Sequence, residues 1–330
     1  MTTSTKQKVR HTQQAKLLIQ AMEGEAAARD TVLKYLSSTN PSLCKMMQEA
    51  IHDLCDRELW QNLLSCLATH RWDNRHNSNR LSSPQASDRF DHAIIEVFTQ
   101  DENEAEIPIK EAVLHRSMND PQTRIRGAAA YLAGLRGNRE AIPLLGEIID
   151  RGSKSWQLRA IKALAVLDDE RCIPPLTKAL TMDRDLLHRE ARRALQSMGS
   201  RAKSAWMELL HHPDSHIRWE AARGLGEIGD ARAAPILAEG LLDENYAVRW
   251  ATADVLANLG EKAIPVTLTI LSRYPLNEPK RQAAYHALHG IANRKAQERI
   301  KSLLDALRDP AASFRVPSLA QRLLLEWEKI

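Results

Sequence analysis

Aromatic residues, cysteines and valines are scarce in this chain of 330 residues. Only 5% of the residues are aromatic, and the sequence has 4 cysteines, 3 phenylalanines and nine valines. So few cysteines in so long a chain exclude a disulfide-stapled secreted domain and favour a reducing compartment. Because valine and phenylalanine are rare beside abundant leucine and alanine, the composition favours helix over sheet.

Long hydrophobic runs are also missing from the sequence. No apolar stretch approaches the roughly 20 residues that a membrane-spanning helix needs. Residues 1–10 carry charge, but the apolar stretch and cleavage site of a signal peptide do not follow them. A content of 43% hydrophobic and 27% charged residues is typical of a folded chain rather than a disordered one. Together these features predict a cytoplasmic protein.

An apolar column recurs through the last two thirds of the chain at spacings of 30 to 32 residues. Its members are Leu132, Leu164, Leu195, Leu225, Leu256 and Leu288. A second column follows three residues later, at Leu135, Leu167, Met198, Ile228, Leu259 and Ile291. A fixed period of this length indicates a structural repeat whose units stack around one continuous core.

Each period divides into two helices separated by a polar loop. The first helix begins near a proline, whose missing N–H is not needed in the first helical turn. These prolines are Pro143, Pro174, Pro235 and Pro265. The second helix carries both apolar columns and often ends at a glycine, which suits a left-handed C-cap. Because neither helix alone can bury its apolar stripe, the pattern predicts an all-α fold of the α-solenoid type.

The sequence predicts three segments. Residues 1–72 show helical periodicity without the repeat register, and we expect a helical N-terminal segment there. Residues 73–88 are polar and lack periodicity, which predicts a linker or mobile loop. Residues 89–330 form the predicted repeat region, with degenerate copies at both of its ends.

Residues 213–260 carry the repeat pattern best. Asp214 lies in the loop, Ile217-Arg218 follows, and Ala221-Ala222 precedes Leu225-Gly226 on the second helix. This pattern resembles the HEAT repeats of the phycobilin-lyase-like (E-Z type) subclass, and weaker copies extend the resemblance over residues 121–330. The resemblance implies a right-handed α-solenoid of about six to seven HEAT-like hairpins. It also implies a structural ladder of loop acids and arginines that bond between adjacent units, here Arg218, Arg249, Arg281, Asp214 and Asp243.

The second helices of such solenoids usually line a concave face. With the apolar columns turned inward, two neighbouring columns could project into this groove. They give the predicted binding residues Arg126, Lys162, Arg189, Arg193, Trp219, Arg223, Trp250 and His286. Tryptophan and arginine are common binding anchors. An offset of 31 residues also places Trp219 beside Trp250, so the two rings could instead pack against each other between repeats.

Motifs for catalysis or metal binding are missing. The sequence has no glycine-rich phosphate loop, dinucleotide fingerprint or nucleophile elbow, and it has no His-Glu-x-x-His unit. His212 and His216 are four residues apart, but Pro213 breaks the helix that would align them. We therefore predict no metal site and no cofactor, and the pattern argues against an enzyme.

Three functions fit these features. The first is a non-catalytic scaffold or adaptor that holds a partner protein or an acidic peptide in the groove. The resemblance implies a second, because phycobilin lyases and their non-catalytic bacterial relatives hold an open-chain tetrapyrrole, a bilin. The third is nucleic-acid binding on a basic face. Residues 121–330 carry 32 basic and 25 acidic residues, and this net charge of +7 is small for a surface that follows phosphates. We predict the scaffold.

Overall fold

The structure is a computed structural model that divides into two compact units, Met1–Pro175 and Leu176–Ile330. It describes residues 17, 20, 31–32, 34–35, 40, 42–43, 45–48, 57–70, 84–100, 106–182, 185–274, 276–291 and 294–327. The predicted N-terminal segment, 1–72, therefore lies largely outside the described residues. Within it Asn40 accepts a hydrogen bond from the N–H of Ser42 at 3.0 Å, as a capping residue would.

Over residues 57–70, 84–100 and 106–175, the first unit contains six α-helices and the start of a seventh. They are α1 (Arg57–His70), α2 (Pro84–Thr99), α3 (Glu106–Ser117), α4 (Thr123–Leu135), α5 (Ile142–Arg151), α6 (Lys154–Leu167) and α7 (Ile173–Leu180), within which the division falls. In this unit α4 packs against α1, α3, α5 and α6. It is the central helix of the unit, and every one of its residues from Gly127 to Gly134 is buried.

The second unit continues the alternation of short and long helices. They are α8 (Asp185–Ser197), α9 (Lys203–Leu209), α10 (Ser215–Ile228), α11 (Ala234–Gly240), α12 (Tyr246–Leu259), α13 (Ile264–Arg273), α14 (Glu278–His289), α15 (Arg294–Arg299), α16 (Lys301–Arg308) and α17 (Val316–Trp327). All regular structure in the described part of the chain is helical, so the all-α prediction is confirmed. No described helix is long and apolar enough to cross a membrane.

Capping residues set the limits of these helices. Pro143, Pro235 and Pro265 lie in the first turns of α5, α11 and α13, which confirms the predicted starts. Asp214 caps α10 by accepting a hydrogen bond from the N–H of His216 at 2.8 Å. The same helix ends at Gly229, whose φ of 67° is left-handed and favours glycine.

In neighbouring hairpins of the second unit, first helices pack on first helices and second helices pack on second helices, except at the last hairpin. The first helix α11 packs on the next first helix, α13, while the second helices α10, α12 and α14 pack in sequence. At the C-terminal end the order changes, since α16 packs on α14 and α17 packs on α13. The terminal pair is therefore atypical, as the degenerate C-terminal repeat predicts.

The structure differs from the predicted linker, 73–88, at the C-terminal end of that segment. Residues up to 83 lie outside the described part of the chain, whereas 84–88 belong to α2. Pro84 opens this helix, because proline is accepted at the first helical position.

The interior of the second unit depends on close contacts at small residues. Trp206 of α9 is fully buried and lies against Gly224 of α10. A Cβ atom at Gly224 would lie 2.7 Å from two ring carbons of Trp206, nearer than van der Waals contact allows. This glycine is therefore what allows α9 and α10 to pack this closely.

We expect Gly224→Ala to lower the free energy of unfolding by about 1–3 kcal/mol, because the buried indole cannot move away without strain. Gly146→Ala in α5 is the matched control, since its Cβ would lie 3.8 Å from Pro175 and an alanine favours the helix by about 0.5–1 kcal/mol. Thermal unfolding followed by circular dichroism measures both. An unchanged Gly224→Ala variant would contradict the close packing.

Candidate functional site

The predicted arginines hold the loops that precede the second helices. Arg218 is the fourth residue of α10, and its Nη1 donates to the carbonyl oxygens of His212 at 2.8 Å and Pro213 at 2.9 Å. Arg249 is the fourth residue of α12, and its Nη1 donates to the carbonyls of Asp243 and Glu244 at 2.7 and 2.9 Å. Each guanidinium thus satisfies two loop carbonyls that no helix could pair.

Arg218 also joins two successive repeats. Its Nε and Nη2 donate to the two carboxylate oxygens of Asp243 at 2.7 and 2.9 Å, and both side chains are mostly buried. Such bidentate pairing fixes geometry as well as charge. Asp243 in turn accepts the N–H of Asn245 at 2.8 Å, so one carboxylate organises its own loop and holds the preceding helix.

Arg281 occupies the same helical position in α14 but bonds a residue that comes later in the sequence. Its Nη1 donates to the carbonyl of Leu307 at 2.8 Å, near the C-terminal end of α16. A guanidinium at this place satisfies a free helix-end carbonyl and favours the negative end of the helix dipole. The change of partner follows from the packing of α16 on α14.

The structure places Arg126 in the same column. Its Nη1 donates to the carbonyls of Asp120 and Pro121, which precede it by six and five residues, as the partners of Arg218 precede Arg218. The sequence columns put Arg126 one position later, beside Trp219, because Leu132 shifts the apolar register by one residue in this repeat. The side chain of Arg126 therefore holds a loop.

Two residues that are not arginine fill this fourth position in α6 and α8. Gln157 donates to the carbonyl of Ile149 at 2.6 Å, and His188 Nδ1 lies 2.7 Å from the carbonyl of Leu180. Sequence reasoning missed both because it followed arginine alone. The even spacing of 126, 157, 188, 218, 249 and 281 was the available signal.

A second set of loop acids caps the turns that lead into the first helices. Asp169 accepts the N–H of Arg171 at 2.9 Å, and Asp230 accepts the N–H of Arg232 at 2.9 Å. Asp230 also pairs with Lys203 of the same unit at 2.7 Å. Neither acid is among the predicted site residues, although each comes directly before a Glu-Arg or Ala-Arg pair.

The charges around these acids set their pKa values. A hydrogen bond from the Arg171 side chain lowers the pKa of Asp169 to about 2. Hydrogen bonds from Arg232 and then Lys203 lower the pKa of Asp230. Burial raises the pKa of Asp243, but hydrogen bonds from Arg218 and the Asn245 N–H outweigh it, and the net pKa is lowered.

Six of the predicted groove residues lie on the second helices of the second unit. We call this set, with two aromatic residues that join it, the second-helix surface: Arg189, Arg193, His216, Trp219, Arg223, Tyr246, Trp250 and His286. Trp219 and Trp250 are each the fifth residue of their helix, and α10 packs directly on α12. Lys162 lies on α6 of the first unit, where it is exposed.

The rings of this surface contact histidine and tyrosine. Trp219 stacks on His216 with centroids 5.6 Å apart, and the guanidinium carbon of Arg223 lies 4.8 Å from the Trp219 centroid. Trp250 contacts His286 at 4.4 Å and Tyr246 at 5.6 Å. Both indoles remain half-buried, so part of each ring faces solvent.

The charges of this surface are only partly neutralised. Arg193 pairs with Glu190 at 2.8 Å, and His286 lies 2.6 Å from Asp254. Arg223 pairs with no carboxylate of the described residues, and its recorded contact is the Trp219 ring. The surface therefore offers an exposed cation directly over an aromatic plane.

Comparison with known proteins accords with the repeat geometry. The family model for HEAT repeats matches residues 111–196 and 187–257. This stretch, which is similar to HEAT repeats, contains the loops held by Arg126, Arg218 and Arg249, as well as Trp219 and Trp250.

Other comparisons add little beyond this family model. No curated protein sequence matches the chain. A solved crystal structure of an engineered protein is 18% identical and covers 98% of this chain and 95% of its own, with a TM-score of 0.36. A likeness of this size carries no argument about function.

The mostly buried Arg218–Asp243 pair should matter for stability more than an exposed one. Arg218→Ala leaves Asp243 and two carbonyls without their donor, so we expect a loss of about 2–4 kcal/mol in the free energy of unfolding. Arg232→Ala is the matched control, because Arg232 is 80% exposed although it also bonds an aspartate. Urea unfolding should show little change in the control, and equal losses in both variants would contradict this ladder.

Asp169 should stabilise the first unit only where it is charged. Its pKa of about 2 lies below the unfolded value of about 3.9, so its contribution is present above about pH 4 and is lost as the pH falls toward 2. Asp169→Asn keeps the capping oxygen and removes the charge, as Asn138 does at the equivalent turn. The difference in urea midpoint between the wild type and this variant should be equal at pH 7 and 5 and smaller at pH 3. A difference that grows toward pH 3 would contradict the lowered pKa of Asp169.

Proposed function

We propose that this chain is a non-catalytic adaptor whose second-helix surface binds an acidic segment of a partner protein. The observation that supports it most directly is Trp219, a half-buried indole with the unpaired guanidinium of Arg223 above its face. An aromatic ring supplies contact area at little entropic cost, and an adjacent arginine selects a carboxylate.

Repetition extends this arrangement along the unit. Because α10 and α12 pack as successive repeats, the equivalent Trp250 lies on the next helix, where Tyr246 is 64% exposed beside it. On the other side, Arg189 and Arg193 occupy α8. An extended peptide could therefore meet aromatic and basic groups in turn, and HEAT repeats commonly serve protein interaction.

The chemistry of the surface supports binding better than catalysis. Its aromatic contacts and ion pairs hold side chains in place, and its arginines cannot act as bases near neutral pH. A binding role also fits the exposure of Arg193 and Arg223, since anchors that select a partner must reach it.

The test measures binding of acidic peptides to the full chain. Fluorescence anisotropy with a labelled library of Asp- and Glu-rich decapeptides should give saturable binding, while a Lys-rich library of the same length should not bind. Arg223→Ala and Trp219→Ala should each weaken binding by about tenfold or more. Tyr274→Ala is the control, because Tyr274 is an exposed aromatic residue outside the second-helix surface.

Folding is kept apart from binding in this experiment. Arg223 is exposed, so its truncation should leave the unfolding temperature unchanged even if Trp219→Ala lowers it. Equal affinity for both libraries, or unchanged affinity in Arg223→Ala, would contradict the proposal.

Two further arms address the other functions that the sequence leaves open. The absorbance spectrum of biliverdin should not change when the protein is present. A labelled single-stranded oligonucleotide should bind the protein no more tightly than heparin does. A shifted bilin spectrum that Arg223→Ala abolishes would favour tetrapyrrole binding instead. Salt-sensitive oligonucleotide binding would favour a nucleic-acid role.

A further inference from the structure

Three metal-ligating side chains from two repeats converge at one edge of the second-helix surface. His188 comes from α8, and His216 and Glu220 come from successive turns of α10. One ligand atom of each residue lies within 4.8 Å of the other two. The sequence spacing hides this group, because His188 is 28 residues before His216 and the three residues form no motif.

The hydrogen bond at one nitrogen of His188 determines what the other can do. Nδ1 lies 2.7 Å from the carbonyl oxygen of Leu180, which can only accept, so Nδ1 must carry a proton. Neutral His188 then has its lone pair on Nε2. A backbone carbonyl on the remote ring nitrogen is the usual way in which a protein orients a metal-bound histidine.

The lone pair of His188 faces a buried carboxylate. Nε2 lies 3.5 Å from Oε1 of Glu220, and the two side chains are only 11% and 8% exposed. Neither Nε2 nor Oε2 of Glu220 has a hydrogen-bond partner in the described part of the protein. Two buried acceptors that face each other repel unless a cation or a second proton lies between them.

The separation of these atoms suits a metal ion. Ligands of a tetrahedral zinc ion, at bond lengths of about 2.1 Å, are about 3.4 Å apart. The observed 3.5 Å between Nε2 and Oε1 is close to this value. His216 stacks on His188 with centroids 5.1 Å apart and is exposed, and one of its ring nitrogens lies within 4.8 Å of the ligand atoms of His188 and Glu220.

One cation already lies beside this group. Nε of Arg192 is 3.4 Å from Oε2 of Glu220 but forms no hydrogen bond there, while its Nη1 donates to Gln196 at 3.3 Å. Arg192 therefore neutralises the carboxylate only loosely and competes for it with any metal ion. Its side chain is 25% exposed, so it can move toward solvent.

We propose that His188, His216 and Glu220 form a zinc site with a water molecule as fourth ligand. Two neutral imidazoles and one carboxylate are a ligand set that zinc accepts with an open fourth position. A bound ion would link α8 to α10 in addition to their packing. It would also fix the ring of His216 on which Trp219 stacks.

The test uses the full chain after removal of metal by a chelator. Isothermal titration with zinc chloride should show one ion bound per chain, and His216→Ala should weaken the binding by at least about tenfold. His211→Ala is the matched control, because His211 is exposed and lies 3.8 Å from Glu239, with no third ligating side chain among the described residues. Failure to bind zinc, or equal affinity in wild type and His216→Ala, overturns the site.

Two further variants separate a metal site from a simple ion pair. Arg192→Gln removes the competing cation, so zinc should bind several times more tightly; weaker or equal binding would contradict the assigned arrangement. Glu220→Gln should abolish the binding. If this buried change prevents folding, the variants at exposed His216 and at the less buried Arg192 still decide the outcome. Cobalt in place of zinc should give the visible absorption of a four-coordinate site.

Discussion

Short helices that cannot stand alone impose the main constraint on this protein. The first helices α9 and α11 have 7 residues each, and α5 and α13 have 10. Isolated helices below about 12–15 residues are marginal in water, so these elements persist only because neighbouring hairpins bury their apolar faces. The repeat is thus held by contacts between units more than by the preference of any one helix, and close contacts such as Gly224 on Trp206 become critical.

Many short helices also leave many loop carbonyls to be satisfied. The fourth residue of most second helices addresses this, since Arg126, Arg218 and Arg249 each bond two carbonyls of the preceding loop. Glutamine and histidine serve with a single bond at the same position in α6 and α8. The position requires a side chain that is long enough to donate a hydrogen bond to the loop. Arginine, glutamine and histidine all meet this requirement, so the residue at this position can differ between repeats.

That freedom connects the loop ladder to the candidate sites. Where Arg218 and Arg249 bond loop carbonyls through Nη1, His188 bonds a carbonyl through Nδ1 and turns its other nitrogen toward Glu220. His216 then stacks between His188 and Trp219. A continuous row of stacked rings therefore connects the loop-bonding residue His188 to the second-helix surface. A partner held by Trp219 would lie next to the proposed metal ion.

The sequence by itself determined the all-α repeat, its period and the positions of the loop arginines Arg218 and Arg249, because burial and capping recur at every copy and need only local spacing to be seen. The contact between Trp219 and Arg223 also follows from their spacing, since side chains four residues apart share a helix face. The sequence columns did not predict the true position of Arg126. A shift of one residue in the register moves a side chain to another face of the helix, and only the carbonyls that Arg126 bonds reveal that shift. The meeting of His188, His216 and Glu220 was decided by tertiary structure alone, since it depends on how α8 packs against α10 and on no sequence spacing.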